Sequence, residues 1–130
     1  MPTHREPIIP PGGEARYERF QFAPAYRVGD TIYVSGVIGV DADGHVPKSV
    51  DEEYAAAFTE LAAVLEFAGS SLADIVELTS FHTDLAGTLG AFMAAKAAVM
   101  TAPYPAWTAI GCTSLAIPAA TVEVRATAVQ

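Results

Sequence analysis

The chain has 130 residues, a length that fits one domain with a single hydrophobic core. Fifteen acidic side chains against seven basic ones give a net charge of −8, and so acidic a surface repels phosphate backbones, which argues against nucleic-acid binding. No apolar run is long enough to span a bilayer, the N-terminus lacks the apolar core of a signal peptide, and a single cysteine excludes an internal disulfide, so we expect a cytoplasmic protein.

The first 14 residues are predicted to form an arm outside the domain, which we place at residues 15–130. Four prolines lie within residues 1–13, and proline at this density disfavours regular structure. The segment that follows, residues 16–22, is short and rich in aromatic side chains, which predicts a strand.

Two strands are predicted next, separated by the turn dipeptide Gly29-Asp30. The first covers residues 26–28. The second covers residues 31–40, opens with β-branched and aromatic residues and is interrupted by Ser35-Gly36. Asp and Gly at residues 41–44 are typical of the turn that closes it.

The start of a helix is indicated by Ser49 and Glu52, which have the spacing of a capping box. Apolar residues then recur at i, i+3 and i+4 spacing, which is typical of a helix packed on a core. This stripe consists of Tyr54, Ala57, Phe58, Leu61, Val64, Leu65 and Ala68. Gly69 is predicted to end the helix.

The next strand is predicted at residues 75–83. After a loop at residues 84–87, Thr88 is expected to cap a second helix that runs to about Met100. Lys96 is the only charged residue of that helix, so we expect the helix to be buried on most sides or to pack against a neighbouring subunit.

Two strands close the chain after the prolines at positions 103 and 105, and the last one alternates. Apolar residues occupy one face of it, and polar residues occupy the other, as expected for a strand buried on one side. The polar face includes Glu123 and Arg125, which lie about 7 Å apart along the strand.

This order of elements predicts an α+β domain with a mixed sheet that two helices cover on one face. The passage from Val37 to Thr83 should be a right-handed crossover between parallel strands. The hydrophobic fraction of 52% is high for so small a soluble protein, so we expect self-association to cover the other face of the sheet.

Three segments resemble one known family. They are the stretch from Phe22 to Gly29 with Tyr33-Val34-Ser35-Gly36, the stretch from Glu66 to Val76 with Asp84-Leu85, and Pro105-Ala106 with Val122-Glu123-Val124 and Ala126. On these motifs the chain resembles the RidA (YjgF) family of reactive-intermediate deaminases over residues 17–129.

The resemblance implies a chorismate-mutase-like fold and a homotrimer whose central barrel forms from three sheets. It also implies clefts between subunits that bind a small molecule, without a cofactor. Family members that act as deaminases hydrolyse enamines and imines, such as 2-aminoacrylate, to a 2-keto acid and ammonia. In them an arginine after Pro-Ala binds the substrate carboxylate, and the motif glutamate helps to activate water.

The resemblance assigns the catalytic role to Glu123, and it places Trp107 where the arginine is expected. An arginine offers five donors in a planar fork, whereas tryptophan offers one donor and a flat apolar face. Losing a charge-assisted contact of about 1.5–3 kcal/mol should weaken the binding of amino-acid-derived imines about tenfold to a hundredfold. We therefore expect a non-standard substrate that is more apolar or aromatic.

The other substrate-binding residues expected from the resemblance are Phe22, Ser35, Gly36, Phe92, Thr108, Ala109 and Arg125. Phe22 stands where deaminases commonly carry tyrosine, and Phe92 where they often carry a polar residue. Structural alternatives stay open: Glu123 in an ion pair with Arg125, and Trp107 as a filler of the core.

Two further hypotheses compete with an imine or enamine hydrolase. One is a binding or regulatory trimer without catalysis; the other is a ribonuclease, an activity reported for some relatives, which the acidic charge disfavours. His82 has no second ligand at metal-binding spacing, and the pattern Asp41-x-Asp43-Gly44 is too short for a calcium loop, so no metal site is predicted.

Overall fold

Six strands form one mixed sheet in a computed structural model that describes residues 3–130. In chain order the elements are β1 (Arg5–Ile8), α1 (Glu14–Phe20), β2 (Ala25–Val28), β3 (Thr31–Val37), α2 (Val50–Phe67), a 3-10 turn (Leu72–Asp74), β4 (Ile75–His82), α3 (Leu85–Val99), β5 (Ala106–Gly111) and β6 (Val122–Val129). The strand order across the sheet is β1-β2-β3-β6-β4-β5. The predicted α+β class with a mixed sheet is confirmed.

Strand β6 lies between β3 and β4 and is antiparallel to both, while β4 and β5 are parallel. Because β3 and β4 both oppose β6, they run parallel to each other with one strand between them. The predicted connection of parallel strands through α2 is therefore confirmed, with β6 inserted between the two strands that it joins.

One face of the sheet, here called the helix face, packs against α2 and α3. Its residues on β6 are Val122, Val124, Ala126 and Ala128, all buried. The other face, here called the open face, carries the alternate residues, and every residue of the predicted α2 stripe is buried on the helix side. The alternating apolar residues of β6 and the apolar stripe of α2 therefore pack against each other as the two layers of one core.

Helix α3 differs from its prediction in its N-cap. Only Phe92 of this helix is buried, so α3 is not covered on most sides within one chain, and packing against a neighbouring subunit, the other expectation, stays a prediction. The side chain of Asp84, rather than Thr88, caps the helix by accepting a hydrogen bond from the backbone N–H of Gly87 at 3.2 Å. Thr88 instead uses its hydroxyl to donate to the backbone carbonyl of Asp84, so its side chain is not available as an N-cap acceptor.

The N-terminal predictions were wrong. The predicted arm contributes strand β1, an edge strand that pairs with β2, where Pro7 is tolerated because edge strands leave backbone positions unpaired. Residues 14–20 form a helix instead of a strand. An acidic residue, Glu14, lies in its first turn and a basic one, Arg19, in its last turn, which suits the helix dipole. No residue of α1 is buried, so no strand-like alternation is imposed on it.

Helix α2 begins and ends as predicted. The Ser49 hydroxyl accepts a hydrogen bond from the backbone N–H of Glu52 at 3.3 Å. Gly69 has a φ of +83°, the left-handed region that glycine adopts freely. The N–H of Ser70 bonds to the carbonyl of Leu65 and that of Gly69 to Glu66, which is a Schellman motif.

A buried carboxylate of α2 holds the start of β6. Glu53 is 1% exposed and accepts hydrogen bonds from the Thr121 N–H at 2.8 Å, the Thr121 hydroxyl at 2.7 Å and the Val122 N–H at 3.2 Å. A carboxylate offers about four acceptor positions, which lets one side chain satisfy three donors. The sequence pattern did not predict this contact, because Glu53 follows two other acidic residues that are exposed.

We predict that Glu53→Gln lowers the free energy of unfolding by about 1.5–3 kcal/mol, the range for hydrogen bonds to a charged group. The amide NH2 of glutamine is a donor, so it would face the donors of Thr121 and Val122 and could not accept their hydrogen bonds. Urea unfolding measures the effect, and Glu60→Gln, an exposed change on the same helix, is the control. Equal stability of the two variants would contradict the proposed anchoring.

Candidate functional site

A β-bulge interrupts the pairing of β3 with β6 at Ser35 and Gly36. Val34 pairs with Ala126 and Val37 pairs with Val124, so two residues of β3 oppose the single residue between them on β6. Such a bulge bends its strand and increases the local twist, and bulges are frequent beside active sites. In the sequence, the bulge was indicated by Ser35-Gly36, which interrupts an otherwise β-prone segment.

Glu123 lies on the open face, directly beside this bulge. A methyl group at Gly36 would lie only 2.7 Å from Cδ of the Glu123 carboxyl group, so the glycine permits a close approach of backbone and carboxylate. Glu123 is half-buried and forms no salt bridge with any of residues 3–130. The alternative of an ion pair between Glu123 and Arg125 is therefore not realised within this chain.

Three predicted site residues share the open face with the bulge. Phe81 pairs in register with Glu123, and the guanidinium of Arg125 lies 5.7 Å from the centre of the Phe81 ring. Thr79 pairs with both Arg125 and Thr108, which places these polar side chains in one row across three strands. The open face thus carries Glu123, Arg125 and Thr108, and the Phe81 ring lies beside the first two of them.

Trp107 lies on the opposite side of the sheet. In register it is next to Leu78, which is next to Ala126, and both of these are buried on the helix face. Within one chain Trp107 and Glu123 therefore do not share a crevice, and the expectation that they meet in a cleft between copies of the chain stays a prediction. Strand alternation is the physical reason, because aligned residues of neighbouring strands point to the same face.

The indole of Trp107 is held by a polar contact and an aromatic one. Its Nε1–H donates to the Ser80 hydroxyl at 2.9 Å, and its ring centre lies 5.8 Å from that of Phe92. Phe92 has no exposed surface and contacts Tyr54, Phe58 and His82 as well. Phe92 is therefore a core residue in this chain and does not line an open crevice.

The remaining predicted residues are spread over both faces. Ala109 pairs with Ser80 on the helix side. The Ser35 hydroxyl donates to the carbonyl of Ala23 at 2.6 Å, and Phe22 is 49% exposed in the segment between α1 and β2. Ser35 thus has a structural bond, whereas Phe22 is free to contact another molecule.

The pattern-based prediction missed the polar pair Ser80 and His82 on the helix face of β4. Ser80 Oγ lies 2.8 Å from His82 Nε2, and Nδ1 of this buried histidine has no hydrogen-bond partner among the described residues. Burial lowers the pKa of His82 below its ordinary value, because the charged form is poorly solvated there. Polar residues two apart on one strand were the signal that pointed to such a pair.

One group of potential metal ligands occurs in the part of the chain that the structure covers. Asp41, Asp43 and His45 offer ligand atoms within 4.8 Å of one another, and all three are exposed. The Asp41 carboxylate accepts backbone hydrogen bonds from Asp43 and His45, and the bond from His45 lowers its pKa. These bonds are those of the turn predicted at residues 41–44.

Residues 14–130 match the sequence model of the family described as Endoribonuclease L-PSP. The RutC family protein YjgH of Escherichia coli (strain K12) is 37% identical over 115 residues, which cover 88% of each chain. A solved structure of a protein YJGH has a TM-score of 0.84 at 33% identity and covers 96% of this chain and 95% of that one.

The chain is also similar to a protein named as a deaminase and to a solved structure named RidA. The 2-iminobutanoate/2-iminopropanoate deaminase of Dermatophagoides farinae is 28% identical over 96 residues, or 72% of this chain and 74% of that protein. The crystal structure of RidA from an Antarctic Psychrobacter has a TM-score of 0.80 at 27% identity and covers 84% of this chain and 88% of that one.

The family match over residues 14–130 and the α+β fold both place this chain in one family of small proteins. The chain belongs to the Endoribonuclease L-PSP family, the RidA (YjgF) family that its motifs resemble. The predicted family is thereby confirmed. Among residues 3–130, no helix has the length and apolar character needed to cross a membrane.

We predict that His82 makes the folded chain lose stability as the pH falls through about 6.5, the ordinary histidine pKa. In that range His82 binds a proton in the unfolded chain but not when it is buried in the folded chain. Protonation therefore stabilises the unfolded state relative to the folded state as the pH falls. Urea unfolding of wild type and His82→Gln, between about pH 7.5 and pH 5.5, should show the steeper loss in wild type.

His45→Gln is the control for this comparison, because His45 is exposed. Its unfolding should follow the wild-type pH dependence. A wild-type slope no steeper than that of His82→Gln would show that His82 titrates equally in both states.

Proposed function

We propose that this protein hydrolyses the C=N bond of an imine, or of the imine tautomer of an enamine, at a site formed between copies of the chain. The observation that carries the proposal is the Glu123 carboxylate, which has no ion pair among residues 3–130 and lies against the bulge at Gly36. A carboxylate in that state is free to accept a proton from water.

The reaction needs proton transfer and orientation, and no metal or covalent nucleophile. Water adds to the imine carbon while Glu123 takes one of its protons and passes it to the nitrogen, whose new lone pair comes from the C=N π bond. In the resulting carbinolamine, Glu123 takes the hydroxyl proton and passes it to the amino group, so that the C–N bond breaks, ammonia leaves and the C=O bond of the ketone forms. Positioned general acid–base catalysis of this kind typically contributes about 10²–10⁴-fold.

A second copy is required because Glu123 and Trp107 lie on opposite faces of one sheet. We propose a homotrimer in which the open faces of three sheets line a central barrel. Large apolar side chains on the open face support this, since Tyr33 is 51% exposed and Ile110 is 40% exposed. Burial of such residues stabilises association by about 25 cal/mol per Å² of apolar surface.

The substrate is proposed to be more apolar or aromatic than the two small imino acids named for the Dermatophagoides relative. Support comes from Trp107 at the position where the family resemblance expects an arginine. Its only donor is already bonded to Ser80, so it offers a ligand the face of an indole. Ribonuclease action is disfavoured by the net charge of −8.

A binding trimer without catalysis is the second candidate. It is favoured by one observation: aromatic side chains occupy the helix side of β5, where Phe92 packs against Trp107. Such a protein would retain the interface site and bind a ligand there without turnover. A cytoplasmic location stays a prediction from the sequence.

The hydrolase is tested with imines generated in situ by an amino-acid oxidase from alanine, leucine and phenylalanine, and with 2-aminoacrylate. Wild type should release ammonia faster than buffer, with the phenylalanine-derived imine favoured. Glu123→Gln should reduce the rate by about 10²–10⁴-fold. Trp107→Arg should shift the preference toward the small imines by about tenfold to a hundredfold, the value of one charge-assisted contact.

Glu77→Gln is the matched control, because Glu77 is an exposed carboxylate of β4 that lies on the open face and pairs with Thr127. Its rate should equal that of wild type. Sedimentation must give a trimer for each variant compared. A monomeric wild type, or no imine hydrolysed faster than in buffer, would refute the proposed hydrolase.

A further inference from the structure

We infer that the cavity between α3 and β5 binds a small aromatic carboxylate, with Lys96 as the cation that receives the carboxylate group. The inference deepens the proposed function, because Trp107 lines this cavity, and it rests on that function only for the claim that the bound molecule is turned over. Binding itself depends on the cavity alone.

The cavity has a volume of about 250 Å³. It is lined by Met93, Lys96, Ala97, Met100, Tyr104 and Trp107. Sites for drug-sized ligands measure about 300–1,000 Å³, so this one suits a smaller molecule, such as one ring with a short acid group. Apart from the lysine, its walls are apolar or aromatic, and none of its lining residues is acidic.

Lys96 is an ammonium group without an anionic partner. Its Nζ lies 5.2 Å from the centre of the Trp107 ring and 5.4 Å from that of Tyr104. It forms no salt bridge with any of residues 3–130, although acidic side chains outnumber basic ones in this chain by fifteen to seven. Two ring faces hold the ammonium in place, and its N–H donors remain available to an anion.

The aromatic walls of the cavity determine the positions of the ring and of the anionic group of a ligand. The Nε1–H of Trp107 is bonded to Ser80, so the indole presents only its flat apolar surface. An anionic group therefore finds its donor at Lys96, and a ring finds its contact on Trp107 or Met93. This arrangement selects for a molecule with both parts.

The dipole of helix α3 opposes anion binding at Lys96, and its size is too small to prevent it. Lys96 belongs to the last turn of α3, where the helix dipole is negative. That dipole costs a nearby anion about 0.3–1 kcal/mol. A hydrogen bond between charged groups contributes about 1.5–3 kcal/mol, which exceeds the cost.

Binding is measured with phenylacetate and its neutral analogue phenylacetamide. Trp107 is the only tryptophan of the chain, so its fluorescence reports directly on the cavity. We expect saturable binding of phenylacetate at least about tenfold tighter than that of the amide, since a charge-assisted contact distinguishes them. Equal affinity for the two compounds, or no saturation with phenylacetate, would overturn the inference.

Lys96→Met should weaken phenylacetate binding by about 10- to 100-fold and leave phenylacetamide binding unchanged, and Lys96→Arg should restore it. Lys48→Met is the control, because Lys48 is the other lysine of the chain and is exposed outside this cavity. Unchanged phenylacetate affinity in Lys96→Met would overturn the inference.

A second variant tests the charge without removing the lysine. Met93 is 51% exposed and lies one helical turn before Lys96, so Met93→Glu should fold and place a carboxylate beside the ammonium. It should abolish phenylacetate binding, and retained binding would contradict the inference. Turnover of imines without phenylacetate binding would refute this inference alone, whereas binding without turnover would refute only the hydrolase.

Discussion

The anchoring of β6 by the Glu53 carboxylate is the interaction on which the rest of the structure depends. Three donors from Thr121 and Val122 bind this one buried group, so the first residues of the central strand have a defined position relative to α2. A slip of one residue would send Glu123 to the helix face and its apolar neighbours to the open face. The register of β6 therefore decides which side chains are available for chemistry.

The same alternation divides the predicted site into two halves. The open face holds Glu123 beside the bulge, and the helix face holds Trp107 under α3. A strand cannot bring residues of opposite faces together, so any site that uses both side chains takes them from two copies. This is why the hydrolase that we propose depends on assembly, and why the exposed apolar side chains Tyr33 and Ile110 on the open face suit the same proposal.

The few cations of this acidic chain have distinct environments. Arg27 donates to the carbonyl of Ala68 and to the side chain of Gln130, and so joins the end of α2 to the C-terminus. Arg125 lies over the ring of Phe81, and Lys96 lies over two rings without a carboxylate partner. Arginine on β2 thus has a structural role, whereas the lysine of α3 has donors to spare for a ligand.

The sequence by itself determined the features that repeat with a period or a motif. The stripe of α2, the alternation of β6 and the glycine at the end of α2 follow from local geometry, and three short motifs identified the family. The sequence did not predict β1 and α1, because neither element has a periodic buried stripe. Pairing with β2 makes β1 a strand, and charges at the helix ends favour α1 as a helix. Only the tertiary structure decided that Phe92 is core, that Ser80 bonds the indole and that Trp107 and Glu123 are on opposite faces. These facts depend on which strands become neighbours and in which register, and pairs distant in sequence leave no local pattern.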